Sequence, residues 1–237
     1  MIFGKIDYIN LLPFHIYLKG SSLQNAFKKS SEYKKSYPSK INKQFKKRKV
    51  GGAFISSIES NRKYIKTLPL GIVAKKHVTS VLVKKNTKSS ADPHSATSNV
   101  LAQVLHVEGE VVIGDKALKL FLENPDDYID LAKEWTQRYS LPFVFAILSV
   151  NNHFETYKKL SDNFKNKSIK IPQYILKRYA YERNIPPKEI LKYLSLISYR
   201  IGIKEGRGLK LFLKKSNLLK KNCTLCAETK RKLDVSS

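Results

Sequence analysis

Neutral polar side chains recur where the apolar segments of this 237-residue chain end. The opening segment, from residue 2 to Ile6, runs directly into Asp7 and Asn10. In open α/β sheets ligands bind at the carboxyl ends of strands, and hydroxyl, amide and helix amino-terminal groups bind anions without a fixed charge. The candidates to line such a site are Asn10, Ser56, Ser57, Thr79, Ser80, Ser95, Thr97 and Asp115. Together they predict a cleft for a small anion.

Each of these residues also has a purely structural explanation. An Asn after a strand commonly bonds its own backbone in a turn, which is the alternative for Asn10. Thr79 and Ser80 could instead bond across a strand. A helix cap is the alternative for Ser56, Ser57, Ser95, Thr97 and Asp115.

Short apolar segments alternate with amphipathic stretches in the first two thirds of the chain, which predicts an α/β protein. The apolar segments after the opening strand are Val50–Ile55, Leu68–Ala74, Ser80–Lys84, Val111–Ile113 and Phe143–Val150. From residue 151 onward the spacing of apolar residues predicts helices, including one long stripe from Ile190 to Ile201.

The charge is distributed unevenly along the chain. Residues 85–146 hold six basic and nine acidic residues, a net charge of −3, whereas the rest holds 39 basic against 10 acidic, a net charge of +29. Two strands, at 80–84 and 143–150, bracket the acidic segment. We therefore predict a basic domain, 1–84 plus 147–237, with an acidic domain inserted at 85–146. Two α/β domains joined by two crossing strands, with a ligand cleft between them, form the type II periplasmic-binding-protein fold.

A net charge of +26 raises nucleic-acid binding as a possible function. However, 37 lysines accompany only 8 arginines, and readout of bases and phosphates favours the arginine fork. Neither a zinc finger nor a glycine-rich phosphate loop is present in the sequence. We expect a lysine-rich surface that attracts anions and no specific nucleic-acid partner. One basic run lies at 28–49.

The sequence carries no pattern typical of a membrane or metal protein. Its longest apolar run, at 143–150, is too short to span a bilayer, and the first residues begin a strand rather than a secretory leader, so we expect a cytoplasmic protein. Cys223 and Cys226 form a lone CxxC without a second ligand pair, and the histidines lack ligand spacing. We expect no metal and no cofactor.

Six segments resemble, in order, the chorismate dehydratase family of the futalosine pathway to menaquinone. The first is the opening run with Tyr8, Asn10, Pro13 and Phe14. The others are Ala53–Glu59, Val78–Leu82, Ser95–Ser98, Ile113–Leu118 and Trp135–Ala146. The chain departs from the family at Gly51 and Gly52, where an acidic residue is usual, and in a short segment between Leu105 and Val111.

The resemblance implies a carbon–oxygen lyase that removes water from chorismate and gives 3-enolpyruvylbenzoate. The aromatic product makes the reaction favourable without a redox cofactor. Asn10 matches the motif asparagine and is expected to orient the substrate and polarise its reacting centre. Ser56 and Ser57 are expected to bind a carboxylate, while the remaining candidates line the cleft. The motifs contain no paired carboxylates and no Ser-His-Asp arrangement, and the acids left near the site are Asp7 and Glu59. One hypothesis instead makes a carboxylate of the substrate the base.

Two other functions fit the same sequence. A dihydroxynaphthoate synthase of the same pathway shares the fold and would use a catalytic histidine, for which His94 and His153 are candidates. The second possible function is that of a cytoplasmic domain that binds an anion without converting it, because fold does not determine chemistry.

Overall fold

A mixed α/β architecture is seen in a computed structural model of the chain, which describes residues 2–23, 25, 28–29, 35–165 and 167–234, the last stretch without side chains at 220 and 222–234. The strands are β1 (Phe3–Ile6), β2 (Lys35–Ser36), β3 (Gly52–Ser56), β4 (Lys66–Ala74), β5 (Val81–Lys84), β6 (Glu110–Ile113), β7 (Tyr128–Asp130), β8 (Phe143–Val150) and β9 (Ile197–Arg200). The predicted apolar segments thus form strands β3, β4, β5, β6 and β8.

Helices follow most strands, as expected for this class of fold. They are α1 (Leu12–Gly20), α2 (Pro38–Lys46), α3 (Ser57–Ser60), α4 (Ala96–Leu105), α5 (Gly114–Glu123), α6 (Leu131–Tyr139), α7 (Phe154–Lys165), α8 (Gln173–Arg183), α9 (Pro187–Leu196) and α10 (Ile203–Asp234). Short 3-10 helices lie at Ile9–Leu11 and Pro125–Asp127. Within the described part of the chain, no helix combines the length and the apolar character needed to cross a bilayer.

The strands form two sheets. The larger sheet has the order β2-β1-β3-β8-β4-β9, in which β1 runs parallel to β2 and β3 while β8 pairs antiparallel with β3 and β4. The smaller sheet, β6-β5-β7, is antiparallel. The second sheet begins at Val81, and all of β8 lies in the first sheet. The domain boundaries predicted at 84/85 and 146/147 stay a prediction.

A buried carboxylate stabilises the turn through which the chain first passes from the larger sheet to the smaller one. One Asp130 oxygen accepts from the backbone N–H groups of Val78 and Thr79, at 2.8 and 2.7 Å. Its other oxygen caps α6 by accepting from Ala132 and Lys133. Because Thr79 has a φ of 54°, an uncommon value for a residue with a β-branched side chain, these bonds stabilise a turn that the chain would not readily adopt alone.

The C-terminal region differs from the expected run of helices. The apolar stripe from Ile190 to Ile201 predicted one helix, but α9 ends at Leu196 and the next four residues form β9. Ile197 pairs with Ala74 and Arg200 with Leu70, so β9 covers the edge of β4. An uncovered edge strand exposes unpaired backbone groups, and pairing them here outweighs the local helical pattern.

Candidate functional site

A cavity lies between the two sheets, at the end of β1. The space inside it that water-sized spheres can reach is about 70 Å³, so the cavity is narrow. Its polar lining residues are Tyr8, Asn10, Ser56, Ser80, Ser95 and Ser98. Its apolar walls include Ile6, Leu11, Phe54, Ile72, Val81, Ile113 and Phe145. The structure therefore brings together Asn10, Ser56, Ser80 and Ser95 from the eight residues predicted by sequence.

The other four predicted residues lie outside this lining and make internal contacts. The Ser57 hydroxyl donates to the Val144 carbonyl at 2.5 Å, and the Thr97 hydroxyl accepts from the Ile58 N–H at 3.3 Å. The Thr79 hydroxyl donates to the carbonyl of Val78. Asp115 lies beside the cavity with both carboxylate oxygens engaged, as described below. Their roles toward a ligand stay predictions.

Asn10 is held from two directions by tyrosines of the C-terminal region. Its backbone carbonyl accepts a hydrogen bond of 2.7 Å from the Tyr199 hydroxyl. Its side chain lies beside the Tyr193 hydroxyl, which is 2.9 Å from the Ser80 Oγ. Burial raises the pKa of both tyrosines, so both remain protonated donors at neutral pH. Asn10 is thus placed in the cavity wall in a defined orientation.

Asn42 orients the hydroxyl of Ser56. The Asn42 Nδ2 donates to the Ser56 Oγ at 2.9 Å, and the Ser56 N–H donates back to the Asn42 Oδ1 at 3.3 Å. Since the Ser56 oxygen already accepts a hydrogen bond, its own proton is available to a ligand acceptor. Asn42 lies on α2, so the lysine-rich segment at 28–49 supplies a buried part of the site.

The first turn of α4 forms another wall of the cavity. Ser95 caps this helix by accepting from the Ser98 N–H at 3.2 Å, and its hydroxyl donates to the Ser98 Oγ at 2.7 Å. Ser95 is therefore both the predicted cap and a lining residue. The Ser98 proton remains free to bond an anion near the positive end of the helix dipole.

Tyr8 packs against a glycine that has no room for a side chain. Gly114 has a φ of 71°, and an added Cβ would lie 2.8 Å from the Tyr8 ring. The Gly114 N–H donates to the Ser80 carbonyl at 2.8 Å. Burial, followed by the negative charges of Asp92 and Asp115, raises the pKa of the Tyr8 phenol, which therefore remains a neutral donor.

Arg183 joins the segment after β1 to the start of α5. Its Nε donates to Asp115 at 2.5 Å, and its Nη2 lies 3.1 Å from Asp7. The second Asp115 oxygen accepts from the Ile9 N–H at 2.9 Å. Burial would raise the pKa of Asp7, but the ion pair with Lys35, the Tyr179 hydroxyl and Arg183 together lower it to about 2. Burial raises the pKa of Asp115 in spite of Arg183.

The lining is neutral. Among the residues that line the cavity there is no Asp, Glu, His, Lys or Arg. The described residues contain no group of three His, Cys, Asp or Glu side chains arranged to hold a metal. The side chains of Cys223 and Cys226 lie outside the described residues. The site thus offers hydroxyl and amide donors, a helix amino terminus and apolar walls.

Sequence reasoning missed several of the supporting residues. Tyr8 and Ser98 stand inside segments already quoted for the resemblance, so that signal was available. Tyr193, Tyr199 and Arg183 lie in the helical region, where no motif marked them. Asn42 stands within a lysine-rich run that drew attention only by its charge.

The comparisons with known proteins agree on family and fold. A family model described as menaquinone biosynthesis matches residues 101–217. The chorismate dehydratase of Campylobacter jejuni subsp. jejuni is 53% identical over 215 residues, which cover 90% of this chain and 96% of that protein.

Several solved structures share the architecture at low sequence identity. Protein AF1704 from Archaeoglobus fulgidus matches with a TM-score of 0.66 at 10% identity, covering 94% of this chain and 97% of its own. The alkanesulfonate-binding protein SsuA from Xanthomonas axonopodis pv. citri, bound to MOPS, matches with a TM-score of 0.55 at 8% identity, covering 93% and 92%. The predicted periplasmic-binding-protein-like α/β fold is confirmed. With 53% identity across nearly the whole of its curated relative, the chain belongs to the chorismate dehydratase family of menaquinone biosynthesis.

Proposed function

We propose that this protein is a chorismate dehydratase, a hydro-lyase that eliminates water from chorismate to give 3-enolpyruvylbenzoate in the futalosine route to menaquinone. The observation that carries the proposal is the 53% identity with the Campylobacter dehydratase over 96% of that protein. The neutral cavity supports it, because hydroxyl and amide donors suit the carboxylates of a small dianion.

The reaction breaks the carbon–oxygen bond of the ring hydroxyl and the carbon–hydrogen bond of its ring neighbour. The electrons of the C–H bond become part of the aromatic ring, and the proton leaves with the hydroxyl as water. No electrons are exchanged with another molecule, so the balance requires no redox cofactor. Catalysis therefore requires positioning, a base and a means of stabilising the leaving oxygen.

The neutral lining favours a base provided by the substrate. A side-chain base must lie within hydrogen-bond reach of the proton, and the cavity lining offers neither a carboxylate nor an imidazole. A carboxylate of bound chorismate can take this role. Asn10, whose orientation Tyr193 supports, then holds the reacting centre and polarises the departing hydroxyl.

The substrate carboxylates have matching donors in the cavity. Ser56, oriented by Asn42, and Ser98 in the first turn of α4 present hydroxyl protons to the ligand. The net charge of +26 adds a long-range attraction for a dianion. Neutral donors in an apolar enclosure hold an anion without neutralising the carboxylate that must act as base.

The histidines required by the naphthoate synthase alternative lie elsewhere. His94 stacks on Tyr37 with ring centroids 4.2 Å apart and lines a neighbouring hollow. His153 is exposed before α7, with a φ of 55°. Neither lines the cavity, so no observation favours that alternative.

The test is a direct assay of purified protein with chorismate, without metal or nucleotide. We expect a product lighter by one water, with a benzoate-like absorbance. Asn10→Ala should lower kcat by about 10²–10³-fold, as removal of a polarising donor does elsewhere, while Asn217→Ala on the exposed face of α10 leaves it unchanged. Normal turnover by Asn10→Ala would remove Asn10 from the mechanism. Intact chorismate with binding detectable by calorimetry would instead support an anion-binding domain.

A further inference from the structure

A second groove lies next to the Asn10 segment and is separate from the cleft. Its volume is about 650 Å³, and it shares no lining residue with the first cavity. Pro13 and Tyr199 form part of its wall. Since the Tyr199 hydroxyl donates to the Asn10 carbonyl, this wall also supports the candidate site from behind.

The floor of the groove is apolar and recessed. Its members come from α7, the segment after it, α9 and β9, and are Phe164, Ile169, Ile171, Leu191, Leu194, Leu196 and Ile197. Leu191 is 47% exposed, whereas the others are buried or half-buried. A recessed apolar floor is reached by a slender molecule more readily than by the flat surface of a protein.

The rim of the groove is cationic. Its charged lining residues are Lys75, Lys165, Lys167, Lys170 and Arg200, and no Asp or Glu is among the lining residues. Lys165 pairs with Asp162 at 2.8 Å, and the Lys167 ammonium lies 5.7 Å from the centre of the Tyr17 ring.

The remaining three rim cations, at 75, 170 and 200, are exposed and form no ion pair within the described residues. A rim that carries only positive charge, above an apolar floor, favours a ligand that has both a negative charge and an apolar body.

We propose that this groove is a second ligand site, which takes an amphipathic anion: a small molecule with an apolar body and a terminal carboxylate. The apolar body removes the floor from water, and the carboxylate lies among the rim cations. A cation of the same shape is repelled by the rim, and a small polar anion gains nothing from the floor. The site does not depend on the proposed dehydration.

The probe is octanoate, titrated calorimetrically into the full chain at low ionic strength, with octylammonium and acetate as matched ligands. We expect octanoate to bind at one site and the other two ligands not to bind. The double variant Lys170→Glu, Arg200→Glu should weaken octanoate binding about tenfold or more, because two attractions become repulsions. The control, Lys177→Glu with Lys188→Glu, reverses two exposed charges on α8 and α9 outside the groove and should leave the affinity unchanged.

Three outcomes would overturn the proposal. Equal affinity for octylammonium would show binding without charge selection. Octanoate affinity that survives the rim reversal would place the ligand elsewhere. A dimer in solution that the rim reversal dissociates, with no heat from octanoate, would assign the groove to a second copy of the chain. Because binding is read without turnover, these results are independent of the chorismate assay.

Discussion

The Tyr193 hydroxyl lies 2.9 Å from the Ser80 Oγ, and the Asn10 side chain lies beside the same hydroxyl. Asn10 follows β1 of the larger sheet, whereas Ser80 immediately precedes β5 of the smaller one. One buried phenol on α9 therefore links polar groups on the two sides of the cleft. Its loss should disturb the orientation of both without removing either.

Tyr193→Phe removes the hydroxyl that bonds Ser80 and retains the ring. We expect kcat for chorismate to fall about tenfold, since one hydrogen bond contributes about 1–1.5 kcal/mol, while KM changes little. Steady-state kinetics make the measurement, with the exposed Tyr181→Phe on α8 as the control. A change in thermal stability with unaltered kcat would assign Tyr193 a structural role only.

Gly114→Ala should displace the Tyr8 ring and strain the backbone. The added Cβ meets the ring at 2.8 Å, and the φ of 71° disfavours any other residue. We expect a loss of about 1–3 kcal/mol in the free energy of unfolding, measured by urea denaturation. Gly206→Ala is the control, because nothing lies within 4 Å of its added Cβ on a helix, and it should stabilise the protein by about 0.5–1 kcal/mol. Equal stabilities of the two variants would contradict the close approach of Tyr8.

Arg183→Ala should leave two acidic groups without their shared partner. Both carboxylates and the guanidinium are largely buried, and breaking such a cluster by removing one member costs about 3–5 kcal/mol. Thermal unfolding should show the loss, and Arg178→Ala, on the exposed face of the same helix, should not. Adding Asp115→Asn to Arg183→Ala should recover part of the stability. If it recovers none, the Arg183–Asp115 contact is not the source of the effect.

Asp7 should contribute to stability at the acid end of the pH range. Its pKa is lowered from 3.8 to about 2, so the folded state binds the proton less readily than the unfolded state. The contribution, about 1–2 kcal/mol, is present above pH 4 and is lost as the pH falls toward 2. Asp115, whose pKa is raised, acts in the opposite direction, so the comparison requires the single variant.

The measurement is the pH dependence of the free energy of unfolding for the unmodified chain and for Asp7→Asn. The variant should lose less stability than the unmodified chain between about pH 4 and pH 2. The exposed Asp126→Asn should follow the unmodified chain. If the free energy of unfolding falls equally in all three proteins between about pH 4 and pH 2, the pKa of Asp7 is not lowered in the folded state.

Much of the fold was predictable because its information is local. Apolar segments of strand length mark β3, β4, β5, β6 and β8, since burial of a strand depends on its own side chains. Asn10 at the end of β1 and Ser95 as the cap of α4 follow from the same kind of signal. The prediction of a helix across Ile197 was wrong, because this segment pairs with the edge of β4. That contact joins residues more than a hundred positions apart, and local spacing does not report it.

The sequence by itself determined the α/β class, the strand ends that carry polar residues, and the six segments that resemble the dehydratase family. Only the tertiary structure decided which hydroxyls line the cavity: Ser56 and Ser80 do, whereas Ser57 and Thr97 bond the protein itself. It also brought Tyr199 to the Asn10 carbonyl across 189 positions of sequence. A side chain's periodicity reports which face of its element it occupies, but the partner on that face is chosen by packing between distant elements.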